Sequence, residues 1–162
     1  MKDYKAIYEE CRYLLQKMGI CTRDDINVMI NSRAKSRWGL CKIAKGNITI
    51  EISDRLLDDN VPDTSLKDVM IHELLHSVAP GYHHGGKWLY LAKKVNDRYP
   101  DLNIVRGESA AAYGVKDDFD YKYIIKCTKC GHKFGRRKMS KVITNLNEYR
   151  CKCGGDLVLV KG

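Results

Sequence analysis

The sequence predicts an α+β fold: a few helices around a small antiparallel sheet, followed by a small β-ribbon tied by cysteines. Three observations carry this expectation. Apolar residues recur at helical spacing in three stretches, 2–18, about 64–78 and 86–99. One stretch, 40–52, alternates apolar and polar residues about a turn, as a hairpin does. The last 42 residues hold two close cysteine pairs among short apolar pieces and turn residues. At 162 residues the chain suits one domain with a small appendage, and 44% apolar with 30% charged residues excludes a disordered chain.

In the first helix Tyr4, Ile7, Tyr8, Cys11, Leu14, Leu15 and Met18 fall on one face, and Gly19 ends it. The hairpin runs from Leu40 to Ile43, turns at Lys45-Gly46-Asn47, and returns with Ile48, Ile50 and Ile52 between Thr49 and Glu51. The second helix should start near Thr64 or Ser65, with Ser65 and Asp68 as a capping box, and stop at Pro80-Gly81. The third runs from Gly86 to about Tyr99, before Pro100. Residues 101–120 read as an irregular wrap ending in a linker, so the expected domains are 1–120 and 121–162.

Charge divides at the same place. Residues 121–162 carry eleven Lys and Arg against Glu148 and Asp156, so the whole net charge of +9 lies there; the first 120 residues balance eighteen bases with eighteen acids. A basic tail on a neutral body points to a polyanion, most often nucleic acid. Lys133, Arg136, Arg137, Lys138 and Lys141 are the candidate phosphate contacts. Tyr121, Tyr123, Phe134 and Tyr149 are candidates for stacking on unpaired bases, which would favour single-stranded DNA; the alternative is that they form the ribbon's own core. The longest apolar run is five residues, Trp88–Ala92, far short of the ~20 a membrane span needs. The charged N-terminus lacks a signal peptide's apolar core, so a cytoplasmic or nuclear protein with no membrane partner is expected.

In a reducing compartment, Cys127-x-x-Cys130 and Cys151-x-Cys153 read as four thiolate ligands of a structural zinc; His132 is a weaker substitute, because it sits beside Gly131 in the turn. Cys11, Cys21 and Cys41 read as small apolar core residues.

The second helix holds the chemistry. Within Val69–Val78 only His72, Glu73, His76 and Ser77 are polar, so the helix is largely buried. Burying two imidazoles and a carboxylate costs several kcal/mol unless they are paired or coordinated. His72 and His76, four apart, share a face and can reach one ion. Glu73 lies about 100° round the helix, beside that ion and free to act as a base. A catalytic zinc needs a third protein ligand and an open position. His84, its neighbour His83 and, on the third helix, Asp97 are the candidates; adjacent residues of an extended segment point apart, so only one of the two histidines should face the ion.

His72-Glu73-x-x-His76 followed by His84-Gly85-x-x-Trp88 resembles the pattern of the SprT-like zinc metallopeptidases. Arg37-Trp38-Gly39-Leu40-Cys41 resembles the family's Gly-centred segment, and the cysteine pairs resemble the zinc ribbon that follows its core, although the second pair is one residue shorter than Cys-x-x-Cys. Ala79 stands where the metzincin pattern requires Gly. The resemblance implies a zincin-like core with zinc on His72, His76 and His84, Glu73 as general base, and a second zinc on the four cysteines. It further implies, as in Spartan-like members, endopeptidase action on proteins bound or crosslinked to DNA. Tyr82 is a nearby candidate for oxyanion help. The alternatives are a nucleic-acid-binding or regulatory zinc protein with little proteolytic activity, against which the intact Glu73 argues, and a general peptidase whose ribbon only stabilises the fold.

Overall fold

Asp3 opens the first helix, α1 (Tyr4–Lys17): its carboxylate accepts the N–H groups of Lys5 and Ala6 at 3.0 and 3.1 Å, two of the donors that a helix start leaves without partners. The computed structural model describes residues 1–34, 36–78, 84–116 and 121–162. The chain divides into two units, Met1–Asp117 and Asp118–Gly162.

In the first unit three strands follow α1: β1 (Ile26–Asn31), β2 (Gly39–Ala44) and β3 (Asn47–Ser53). A 3-10 turn, Asp54–Leu57, leads to α2 (Asp63–Val78), and α3 (Gly86–Arg98) comes after it. β2 and β3 form the expected hairpin around Lys45 and Gly46, whose φ angles of 50° and 82° match the two-residue turn that suits strand twist. The sheet order is β1-β3-β2, and β1 lies parallel to β3. The sheet is therefore mixed, not wholly antiparallel. β2 carries the chain back between β1 and β3, so β3 returns in the direction of β1. The sequence reading missed β1 although Ile26, Val28 and Ile30 alternate along it: the strand is short, Met29 blurs the polar positions, and only Ile26 is fully buried.

α2 begins at Asp63, directly after Pro62, whose fixed φ admits a helix beside it. The expected capping box does not form. Ser65 lies inside the helix and donates its N–H to the Pro62 carbonyl, and the Asp68 carboxylate accepts the N–H of Asn103 at 2.8 Å. α2 packs against β2 and β3 and against α1 and α3. That central position explains its all-round apolarity: Leu66, Met70, Ile71, Leu74 and Leu75 are fully buried. α3 buries Trp88, Leu91, Ala92 and Val95 on one face and stops at Tyr99, before Pro100. The irregular segment after it returns to the core through Leu102, Ile104, Tyr113 and Val115. Cys11 and Cys41 are buried as expected, whereas Cys21 is exposed beyond the end of α1.

The second unit is a three-stranded antiparallel sheet of order β5-β4-β6, made of β4 (Tyr123–Cys127), β5 (Lys133–Arg136) and β6 (Leu157–Lys161). A short helix, α4 (Lys141–Thr144), and a 3-10 turn, Leu146–Glu148, close one side. Tyr123, Ile125 and Ile143 form its small core, with Phe134, Val142, Leu146 and Leu157 packed against them. Tyr123 and Phe134 are thus core residues and not open stacking platforms. The Tyr121 ring lies so close under Gly135 that a β-carbon there would meet it at 2.3 Å. Of the four candidate aromatics only Tyr149 is exposed. Among the described residues no helix is long and apolar enough to cross a membrane.

Candidate metal centres and the cleft beside them

Two sites emerge, one in each unit. In the first, α2 presents His72 and His76 one turn apart, and His84 enters from the residue before the N-cap of α3. Their Nε2 atoms form a triangle with sides of 3.3 Å (His72 to His76), 3.1 Å (His76 to His84) and 2.9 Å (His72 to His84). The His72 Nδ1–H donates to the Val105 carbonyl at 2.8 Å; a carbonyl only accepts, so the Nε2 lone pair of His72 faces the triangle. Burial, with His76 and His84 beside it, pushes the His72 pKa down to about 4, which keeps the ring neutral. Three ring nitrogens converging this closely suit a shared cation. Tetrahedral zinc at ~2.05 Å from each nitrogen sets them about 3.3 Å apart, close to the observed sides. The donor set therefore fits zinc.

Trp88, 2% exposed, is the floor of this site. Its ring lies 4.7 Å from His72, 5.5 Å from His76 and 4.7 Å from His84, and its Nε1–H donates to the His72 carbonyl at 3.3 Å. Asp97 lies exposed on α3 and is not part of the cluster. His83 and Tyr82, the other residues singled out near His84, lie outside the described residues, as does Ala79.

Glu73 does not join the triangle. It is buried against β2, where the Cys41 backbone N–H reaches its carboxylate. Burial pushes its pKa up to about 7, against the pull of that N–H and of the Arg37 charge. Gly39 makes this placement possible. A β-carbon there would lie 2.5 Å from Glu73 Oε1, 2.7 Å from its Cγ and 2.8 Å from Val69 Cγ1, all inside van der Waals contact. The Gly-centred segment singled out in the sequence is thus the slot in which the Glu73 side chain lies.

Glu73 and the three histidines open on a cleft of about 610 Å³. Trp38 to Cys41 and Ile43, Arg106 to Glu108 and Tyr113 line it as well. Arg37 at the rim pairs with Glu51 at 2.9 Å. Glu51, 7% exposed, also binds Lys42 and, at 2.6 Å, the Asn31 amide, so its carboxyl is held below the usual carboxylate range. Trp38 meets Tyr113 edge-on at 5.5 Å and donates its Nε1–H to the Glu108 carbonyl at 3.0 Å. The sequence reading missed Tyr113: the irregular stretch around it has no period that would mark a buried residue.

In the second unit, Cys127, Cys130, Cys151 and Cys153 bring their sulfurs within 4.8 Å of one another. Cys127 to Cys153 and Cys130 to Cys151 are each 3.6 Å, far beyond the ~2.05 Å of a disulfide and near the roughly 3.8 Å edge of a tetrahedral zinc–thiolate site. The backbone N–H groups of Cys130 and Lys129 pull the Cys127 thiol down to about 6, towards the thiolate a metal needs. The short Cys-x-Cys pair reaches the cluster because its turn closes within four residues, with the Gly154 N–H on the Cys151 carbonyl at 2.8 Å. His132 stands outside the cluster, exposed, 4.5 Å from the Phe134 ring. Lys133, Arg136, Arg137, Lys138 and Lys141 are all exposed along β5 and the start of α4.

The SprT-like family model matches residues 5–108. Among curated proteins, the chain is 24% identical over 145 residues to the germ cell nuclear acidic protein of Drosophila melanogaster, covering 83% of this chain. It is 32% identical over 101 residues to the Homo sapiens protein of the same name, covering 59% of this chain. The match spans 13% of the length of each of these relatives. Among solved structures, a metallopeptidase zymogen, abylysin of Pyrococcus abyssi, aligns with 19% identity and a TM-score of 0.45 over 64% of this chain and 100% of that one. Because the family match takes in more than half of the sequence, including Gly39, His72, Glu73, His76 and His84, the chain belongs to the SprT-like family.

Proposed function

We propose that this protein is a zinc-dependent endopeptidase that cuts proteins bound or crosslinked to DNA, with zinc held by His72, His76 and His84 and a second, structural zinc held by the four cysteines. One observation carries the peptidase reading: three imidazole nitrogens 2.9–3.3 Å apart share a cleft with a buried carboxylate that is not one of them. A purely structural metal site has no use for that carboxylate. Zinc on the histidines supplies Lewis-acid chemistry to a scissile carbonyl and to water.

Glu73 then takes a proton from the attacking water and returns it to the leaving amine. The nearby Cys41 N–H favours the charged carboxylate, and Gly39 leaves the side chain room beside β2. Val105 fixes the His72 tautomer, and Trp88 packs against all three imidazole rings that would hold the zinc. In the second unit the exposed bases from Lys133 to Lys141 support contact with DNA phosphates, and the exposed Tyr149 ring is the one of the four candidate aromatics left to favour single-stranded character. The work of such an enzyme lies where the DNA is, in the nucleoid or nucleus, and the word "nuclear" in both relatives' names agrees with the second.

The test is hydrolysis of a DNA-binding protein by zinc-loaded enzyme, without DNA and with single- or double-stranded DNA. Cleavage that rises with DNA, most with single strands, is expected. Cleavage indifferent to DNA leaves a general peptidase; strong DNA binding with no cleavage leaves a regulatory zinc protein.

A further inference from the structure

Tyr113 is 6% exposed, yet its side chain lines the cleft that holds Glu73 and the histidines. Its ring is fixed edge-on against Trp38 at 5.5 Å. Its hydroxyl takes no hydrogen bond among the described residues. The oxygen is not among the sealed side-chain atoms without a partner, so the buried ring leaves its hydroxyl open to the cleft, and phenylalanine would serve the packing as well. The Tyr8 hydroxyl also lacks a partner, but it is sealed inside the core; that of Tyr113 faces a cavity large enough for a peptide segment.

The other side-chain donors of the cleft are occupied or outside. Trp38 Nε1 is taken by the Glu108 carbonyl, and Arg37 gives an N–H to Glu51 and stands half exposed at the rim. Ser36 and Arg106 are exposed at the rim, where water screens them. Burial and the carboxylates of Asp68, Glu108 and Glu73 raise the pKa of Tyr113, so it remains a protonated donor throughout the neutral range.

We propose that the Tyr113 hydroxyl is the cleft's side-chain donor to the bound peptide, hydrogen-bonding the scissile carbonyl oxygen as negative charge builds there. This rests on the peptidase reading above. A fixed donor in a water-poor site is worth most when it meets charge that exists only in the transition state, and deleting such a donor typically costs about 10²–10³-fold in kcat. The hydroxyl makes no new bond; it stabilises the oxygen until the leaving amine departs and the carbonyl is restored.

The experiment compares the zinc-loaded wild type with Tyr113→Phe in three measurements. These are kcat and KM on a peptide, affinity for an uncleavable phosphinic peptide that mimics the tetrahedral centre, and thermal stability. Expected are a fall in kcat of about 10²-fold with KM within threefold, a comparable loss of phosphinate affinity, and unchanged metal content. Stability should be equal or slightly higher, which a structural role for the hydroxyl would not give. Wild-type kcat and phosphinate affinity in the variant would overturn the assignment and leave the peptidase reading intact. A rise in KM alone would overturn it too. A wild type that neither cleaves peptide nor binds the phosphinate would overturn both.

Discussion

Adding one methyl group at Gly39 should disable the protein without touching a metal ligand. In Gly39→Ala the new β-carbon would sit 2.5 Å from Glu73 Oε1, 2.7 Å from Glu73 Cγ and 2.8 Å from Val69 Cγ1. Comfortable contacts are about 3.5–4.0 Å, so each neighbour must yield by roughly 1 Å. Val69 cannot, because it is 3% exposed on a helix packed on all sides. Glu73 therefore swings away from the Cys41 N–H and from the attacking position. Overpacking of this kind costs about 1–3 kcal/mol of stability, and a 1 Å misplacement of a reacting group costs about 10²-fold in rate. Peptide hydrolysis, zinc content and chemical denaturation would be measured on the same preparation. The expected result is hydrolysis down at least about 100-fold with the zinc of the histidine site retained. Gly46→Ala is the control: its φ of 82° makes alanine strained, but nothing lies within 4 Å of the new carbon. It should lose about 1 kcal/mol and keep full activity. A Gly39→Ala protein that cleaves at the wild-type rate would refute the slot assigned to Glu73.

Metal analysis of the wild type should give two zinc ions per chain. His84→Ala should empty the histidine site while the cysteine site stays loaded, Cys151→Ser should do the reverse, and one zinc or none in the wild type would remove a site. Alanine at Lys133, Arg136, Arg137, Lys138 and Lys141 together should weaken DNA binding and flatten its log–log salt dependence by about 0.7 for each single-strand phosphate no longer neutralised; anisotropy titrations at several salt concentrations read both, and an unchanged slope would clear these residues of a phosphate-binding role. The Glu51 carboxyl is held below its ordinary 4.5, chiefly by its bond to Lys42 with Asn31 and Arg37 adding, so the unfolded chain binds its proton first. Its stabilisation is full above pH 4.5 and is lost as pH falls from there through the folded value; denaturation at pH 3–6 should show a shallower acid loss in Glu51→Gln than in the wild type.

The features legible in the sequence are those with a short-range signature. The helix carrying His72, Glu73 and His76 was readable because burial cost makes polar residues on an apolar helix conspicuous, and the hairpin because its alternation is strong. The four cysteines converge as their spacing implied. Long-range pairing was hidden. Nothing local tells that Asp68 would cap Asn103 instead of Ser65, that β1 would join β3 in parallel, or that Tyr113, forty residues from Glu73, would line the same cleft. The aromatics of the ribbon misled for a related reason. Beside so many lysines they looked exposed, but a unit of this size must commit its few large side chains to a core, and Tyr123 and Phe134 belong to that core.

The sharpest test of the assigned chemistry is side-by-side hydrolysis of a protein substrate by zinc-loaded wild type and Glu73→Gln. Glutamine keeps the shape of the side chain but cannot accept the proton, so the variant should fold, hold the same zinc and lose activity by at least about 10²–10⁴-fold. Equal hydrolysis by the two proteins, at equal zinc content, would show that Glu73 is not the base and that the cleft works by some other chemistry.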